Sequence, residues 1–320
     1  MKTTMHQKSI TVVGGGVSGL TTAVCLREAG FEANIIAEAR YPSVVSNTAA
    51  AIWTTTAAEP AERARPWALR SRERFAELAE KPGTGVVSLQ QRELERHEPG
   101  PMWWESTPFV RRMEFDELPP GFVAGFEIDG FMVEPPLYLS WLSARFRDLG
   151  GTLTQRRVAD LAEVPGDLVV NCTGLGSRDL VGDDTLFAIR GQVVAVTNPG
   201  IRDGVADESN IERTTYVYPR STEMVLGGAR ETGQEDLTPD AETTARILAD
   251  CAALDPRVRS LDVLEVRVGL RPGRATVRLE ATELADGRRV IHNYGHSGAG
   301  FILSWGCGEE VARLCGGTSL

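Results

Sequence analysis

Apolar residues follow two rhythms along this chain, and the switches between them outline its elements. Residues 9–13 (Ser-Ile-Thr-Val-Val) are a short uncharged run that reads as a buried strand. Glycines follow at once, then a helical stretch over 17–29 closed by Gly30, and 33–37 reads as a second strand. Strand, helix and strand in that order predict a βαβ unit, the start of a parallel, doubly wound α/β sheet. Helical periodicity returns over 60–81, with Ala64, Trp67, Ala68, Phe75 and Leu78 on one face. It returns again over 136–149, with Tyr138, Leu139, Leu142 and Phe146 inward and Gly150-Gly151 ending it. Between these helices, 82–135 is rich in Pro, Gly and aromatics and reads as short strands with loops. Residues 167–172 form another buried strand, ending in Thr173-Gly174-Leu175-Gly176.

From Arg190 onward the pattern alternates. Strands are predicted over 191–197, 214–219 and 223–227, the last two joined by a tight turn at Arg220-Ser221-Thr222. A helix over 240–254 and one long strand region over 264–280 follow. Residues 289–294 are a strand that runs through a glycine-rich turn into a helix over 301–314. Nucleotide-binding elements thus lie at the start, middle and end, so two domains interleave. The expected division gives 1–60, 136–189 and 286–320 to a Rossmann-like domain. Residues 61–135 and 190–285 go to a mixed-sheet α+β domain that would hold the substrate.

Composition narrows the class. With 320 residues, 42% of them hydrophobic, there is material for one large or two intimate domains, and a disordered tail is excluded. A formal net charge of −10 argues against nucleic acid or an anionic membrane as partner. Of 34 basic residues only Lys2, Lys8 and Lys81 are lysines, a hint of a GC-rich bacterial genome. Five cysteines, odd in number and without a C-x-x-C pair, point to reduced thiols in a bacterial cytoplasm. The uncharged run 9–26 superficially resembles a signal peptide, but it holds four glycines and no cleavage-site pattern.

Gly14-Gly15-Gly16-Val17-Ser18-Gly19 satisfies G-x-G-x-x-G, a weak pattern alone. Here it follows a strand and opens a helix, and Glu38 stands at the end of the next strand, as the dinucleotide fingerprint requires. Gly14 permits the tight turn, Gly16 lets a pyrophosphate approach the backbone, and Gly19 lets helix and strand pack closely. Val17 and Ser18 put their N–H groups at the positive end of the helix, and Glu38 would accept hydrogen bonds from ribose hydroxyls. The fingerprint does not separate NAD from FAD. The late return to the fold at 167, and closure by strand, glycine turn and helix, favour FAD.

The C-terminal run His292-Asn293-Tyr294-Gly295-His296-Ser297-Gly298-Ala299-Gly300-Phe301 resembles the signature of D-amino-acid oxidases. Three segments agree in order: Val170-Asn171-Cys172-Thr173-Gly174 with Arg190-Gly191-Gln192, then Tyr216-Val217-Tyr218-Pro219 with Leu226-Gly227-Gly228, then Val268 to Arg274. The likeness spans nearly the whole chain, and D-aspartate oxidases share most of it. It implies non-covalent FAD and hydride transfer from the substrate Cα to flavin N5. Dioxygen then takes the electrons as hydrogen peroxide, and the imino acid hydrolyses to a 2-oxo acid and ammonia. By the same resemblance Arg271 grips the substrate carboxylate with its fork, an arrangement lysine does not reproduce. Tyr216 adds its hydroxyl to that carboxylate, the Gly298 carbonyl accepts from the amine, and Tyr218 is a pocket wall. Gly300, Phe301 and Ile302 turn a helix N-terminus toward the flavin, with Ser297 just before. Asn47, Thr48, Ala49, Ala50, Ala51 and Ile52 pass the flavin and diphosphate, Ile52 also lining the side-chain pocket. Val158, Thr173 and Gly174 complete the cofactor contacts.

Other constellations fall short. His292 and His296 are separated by Gly295, which argues against a helical metal pair, and no metal is expected. Gly295-His296-Ser297-Gly298-Ala299 lacks the closing glycine of a nucleophile elbow, and Cys307 reads as core. No general base stands among the pocket motifs, which fits hydride transfer from a deprotonated amine. The stretch 202–213 is short and polar, so a lid of the mammalian kind is reduced, and the family's second pocket tyrosine is replaced by Glu212 or a neighbour. Arg213 or Arg220 would serve a second carboxylate if the substrate were acidic, whereas Ile52 favours apolar side chains. The expected reaction is therefore oxidation of neutral D-amino acids, the alternatives being a D-aspartate oxidase or a glycine/sarcosine-type amine oxidase. Partners are a small D-amino acid and dioxygen, with a homodimer left open. The final Thr318-Ser319-Leu320 only loosely resembles a peroxisomal address.

Overall fold

The computed structural model describes residues 8–55 and 58–316, so Thr318-Ser319-Leu320 lies outside the described residues. The first uncharged run is β1 (Ser9–Val13), and the glycine turn leads into α1 (Val17–Glu28). Strand β2 (Glu32–Ala37) closes the unit parallel to β1, with Val12 beside Ile35 and Val13 beside Ile36. A two-residue strand β3 (Ile52–Trp53) precedes the long helix α2 (Ala61–Ala79). The aromatic-rich segment supplies β4 (Val86–Glu95), β5 (Val110–Arg112) and β6 (Ala124–Val133). Helix α3 (Pro135–Asp148) opens on Pro135 and Pro136, where a missing N–H costs nothing.

Strands β7 (Leu153–Gln155) and β8 (Leu168–Asn171) and the short α4 (Ser177–Val181) come next. The alternating region forms β9 (Phe187–Thr197), β10 (Gly204–Asp207), β11 (Thr215–Pro219), β12 (Glu223–Gly227) and β13 (Glu231–Thr232). Asp240 caps α5 (Ala241–Leu254) by accepting from the Thr243 N–H. The chain finishes with β14 (Val263–Gly273), β15 (Arg278–Glu283), β16 (Arg289–Tyr294) and α6 (Gly300–Leu314).

Two sheets result. The first runs β15-β16-β8-β1-β2-β7, parallel except for the β15–β16 hairpin. The second runs β13-β9-β12-β11-β10-β4-β6-β3, with β14 added on β9 and β5 on β6. Its strands pair antiparallel except β10 with β4. A doubly wound sheet beside a mixed one is the expected fold class.

Sheet membership departs from the expected boundaries in two places. Strand β3 joins the second sheet although it precedes residue 60. The predicted single strand over 264–280 is two strands: β14 ends at Gly273 in the second sheet, and β15 enters the first before residue 286. The crossing is fixed by the Ser297 N–H donating to the Pro272 carbonyl at 3.0 Å. Helix α2 packs on α6, where Ser71 Oγ accepts from the Trp305 N–H at 3.2 Å and Arg70 forks onto Glu309. The apolar face read from the sequence is the reason: Ala64, Trp67, Ala68, Phe75 and Leu78 are all buried in the core shared with α1, α3 and α6.

Candidate active site

A cleft of about 1040 Å³ opens where the carboxyl ends of β1, β2, β8 and β16 meet the second sheet. That equals the upper end of the range for small-molecule sites, roughly 300–1,000 Å³, and its position is where ligands bind in open parallel sheets. Gly14, Gly16, Val17 and Ser18 line it. Gly14 has φ +121°, and a Cβ there would come within 2.4 Å of the Cys172 carbonyl oxygen. Gly19 does not line the cleft; a Cβ on it would strike the Gly14 carbonyl at 2.0 Å, so it serves the close packing of helix on turn. Gly16 has no side chain to cap α1, and Ser46 Oγ takes that place by accepting from the Val17 N–H at 3.0 Å. That first turn, Gly16 to Ser18, borders the cleft with the positive end of the helix. Glu38, exposed at the end of β2, Val158, Thr173 and Gly174 border the same end.

Thr48, Ala49, Ala50, Ala51 and Ile52 form the next wall. Asn47 belongs to the same loop; its N–H donates to the Val44 carbonyl at 2.9 Å, and its Oδ1 is buried without a partner among the described residues. Arg220 holds this loop, donating to the carbonyls of Ala49 at 2.6 Å and Ala50 at 3.1 Å while paired with Glu223. Opposite, Ser297 and Gly298 turn the chain into α6, whose N-terminus has no side-chain cap and presents Gly300, Phe301 and Ile302 to the cleft. A Cβ at Gly300 would have Val17 Cγ1, at 3.9 Å, as its nearest neighbour, which leaves room for a flat ring system against the backbone.

At the far end the walls are side chains. Arg271 points from β14 across β9; a Cβ on Gly191 would lie 2.7 Å from its guanidinium carbon, so the glycine makes its seat. Arg271 donates to the Ala229 carbonyl at 3.2 Å and pairs with no carboxylate among the described residues, whereas neighbouring Arg274 is neutralised by Asp183. A guanidinium held this way asks for an anion. Tyr216 is buried beside it in room left by Gly227, and stacks on Tyr218 with ring centroids 5.0 Å apart. Burial pushes the Tyr216 hydroxyl above its ordinary range, and the Arg271 charge pulls it partly back. Its hydroxyl makes no hydrogen bond among the described residues. A Cβ on Gly298 would lie 3.9 Å from Arg271 Cδ, and Ile52 packs against the cluster that holds the two tyrosines.

The second-carboxylate candidates fall elsewhere. Arg213 pairs with Asp250 on the surface at 2.8 Å, and Arg220 is consumed by the loop it holds. Glu212 is exposed, and Thr214 lines the cleft in its stead. Among the lining residues that escaped the sequence reading, two carry charge near the substrate end. Arg230 follows the Gly227-Gly228 segment, and its Nε is buried without a hydrogen-bond partner. Glu208 follows β10, and burial together with the carboxylates of Glu93, Glu95 and Asp207 pushes it up to about 8. Both sit in polar stretches whose charges give no sign of facing inward. His292 and His296 serve structure: His292 meets Thr282 Oγ1 at 2.9 Å, His296 meets Asn293 Oδ1 at 3.0 Å, and burial lowers both to about 4.

A glycine turn, two helix starts and a carboxylate at the end of the second strand define a dinucleotide-binding protein, and the residues present fit FAD. The chain belongs to the DAO family, FAD dependent oxidoreductase, whose model matches residues 9–314. It is 46% identical over 309 residues to a D-amino-acid oxidase of Rubrobacter xylanophilus, covering 95% of each chain. A Streptomyces coelicolor D-amino-acid oxidase is 41% identical, covering 95% of this chain and 96% of the relative. A human D-aspartate oxidase is 37% identical, covering 97% and 95%. Among solved structures, L-proline dehydrogenase from P. horikoshii shares the fold with a TM-score of 0.80 at 18% identity, covering 98% and 95%. Among the described residues no helix is long and apolar enough to cross a membrane.

Proposed function

We propose that this protein oxidatively deaminates neutral D-amino acids with non-covalent FAD, giving a 2-oxo acid, ammonia and hydrogen peroxide. The first sheet with its helices holds the cofactor, and the second sheet holds the substrate. The observation that carries the reading is Arg271, a guanidinium without a carboxylate partner, beside Tyr216 in a cleft that begins at a dinucleotide-binding turn.

Bound FAD would supply a two-electron acceptor, and dioxygen would restore it by taking those electrons away as hydrogen peroxide. The chain's own residues orient and exclude. Arg271 receives the substrate carboxylate in its fork, and the Tyr216 hydroxyl donates to the same group. The Gly298 carbonyl accepts from the amine, which fixes the face that Cα presents to the flavin and hence the D configuration. The N-terminal N–H groups of α6 stabilise negative charge on the side of the ring they face. Ile52, Val193 and Tyr218 give the side-chain end an apolar wall.

A second reading, oxidation of acidic D-amino acids, is favoured by Arg230 and by the D-aspartate oxidase relative. The test is an absorbance spectrum of the yellow protein after anaerobic addition of D-alanine, L-alanine or D-aspartate. Bleaching by D-alanine and not L-alanine supports the neutral reading. Bleaching by D-aspartate alone, abolished in Arg230→Gln, moves the assignment to acidic substrates. A protein that stays colourless with added FAD overturns both.

A cytoplasmic location belongs to the same proposal, supported by five buried, unbridged cysteines.

A further inference from the structure

The proposed chemistry leaves one group at the substrate end unused. Glu208 lines the cleft on the loop that follows β10, anchored by its own N–H on the Leu94 carbonyl at 3.0 Å. Its carboxyl has no hydrogen-bond or ion-pair partner among the described residues, although Arg271 and Arg230 line the same cleft. It is close enough to Tyr216 and Tyr218 for its charge to push both hydroxyls upward. The charges that act on it most are acidic, although Asp207 is itself paired with Arg96 at 2.9 Å and Arg271 acts on the same Tyr216. Glu93 and Glu95 come from β4, Asp207 from β10, and the two tyrosines from β11. Glu93 is itself buried, bonded by Thr54 and by Thr55 at 3.1 Å, and Thr54 also lines the cleft.

We propose that Glu208 reads the charge of the substrate side chain: protonated, it admits neutral side chains, and ionised, it selects cationic ones and rejects anionic ones. The inference rests on the D-amino-acid oxidase reading. Its physical basis is that a carboxyl crowded by like charges in a partly desolvated wall gives up its proton late. A cationic side chain arriving at that wall supplies the missing counter-charge. The carboxyl is held up to about 8, so the change of preference falls near that pH.

D-Lysine and D-norleucine test this, being alike in length and differing in the terminal ammonium. The readout is the ratio of their kcat/KM values between about pH 7 and about pH 9, each corrected for the deprotonated fraction of that substrate's own α-amine. In the wild type the ratio rises roughly tenfold with pH. In Glu208→Gln, which keeps the shape, it is flat. Glu93→Gln removes a neighbouring charge and shifts the rise to lower pH without abolishing it. D-Glutamate against D-glutamine shows the opposite slope in the wild type. A flat wild-type ratio overturns the proposal whatever the variants do, as does an unchanged rise in Glu208→Gln. If neither D-lysine nor D-norleucine reduces the flavin at any pH, the oxidase reading itself has failed. Flavin reduced by D-norleucine with a flat ratio sinks only the role of Glu208.

Discussion

The two ends of the cleft are built from different materials. At the nucleotide end the contacts are backbone: the turn at Gly14, the start of α1, the 45–51 loop and the start of α6 offer N–H groups and bare Cα surface. At the substrate end the contacts are side chains from separate strands. Arg271 comes from β14, Tyr216 and Tyr218 from β11, Ile52 from β3, and Glu208 and Arg230 from the loops between. A backbone site tolerates changes of side chain but not of conformation. A side-chain site behaves in the opposite way, keeping its fold while its chemistry changes.

Substitutions that respect this division should separate the two ends. The largest effect is expected of Gly14→Val, which forces a β-branched residue into φ +121° and against the Cys172 carbonyl. Strain and overlap together amount to about 4 kcal/mol. Denaturant unfolding and flavin content after purification should both fall, and normal flavin content would show that the turn is not under this constraint. Next is Tyr216→Phe, which keeps the stacked ring and removes a hydroxyl donor to a charged group, about 2 kcal/mol. Steady-state kinetics should show kcat/KM down by roughly 30-fold with the flavin spectrum unchanged.

Smaller again is Glu38→Gln at the exposed rim of the nucleotide end. Losing a charged acceptor for ribose hydroxyls there costs about 1 kcal/mol, read as an FAD dissociation constant weakened about fivefold with turnover of the loaded enzyme unchanged. The smallest effect is expected of Arg213→Ala. Its pair with Asp250 is a surface ion pair worth about 0.5 kcal/mol, so D-aspartate and D-alanine turnover should both stay as they are. A selective loss with D-aspartate would return Arg213 to the site.

The same division governs how much was legible in the sequence. A turn made by backbone leaves contiguous marks, so Gly14 to Gly19, Glu38 and the Ser297–Ile302 segment could be read with their elements. The helix faces were legible because burial imposes a period, as Phe75 in α2 and Tyr138 in α3 illustrate. The substrate end joins strands distant in sequence, and there a polar residue gives no local sign of whether it faces the cleft. Arg220 stood in a turn as though free, yet it is buried on the Ala49 and Ala50 carbonyls. Arg230 and Glu208 stood among surface charges, yet they line the site. The long strand expected over 264–280 breaks at Gly273 because the chain changes sheets there, which periodicity alone does not reveal.

The division of labour is tested most directly on Arg271→Leu, by measuring flavin content and the anaerobic rate of flavin bleaching by D-alanine on one preparation. The account predicts full flavin content and a wild-type oxidised spectrum, with bleaching slowed roughly 100- to 1,000-fold by loss of a charged partner. Bleaching at the wild-type rate, or an apoprotein that no longer takes up FAD, would contradict it.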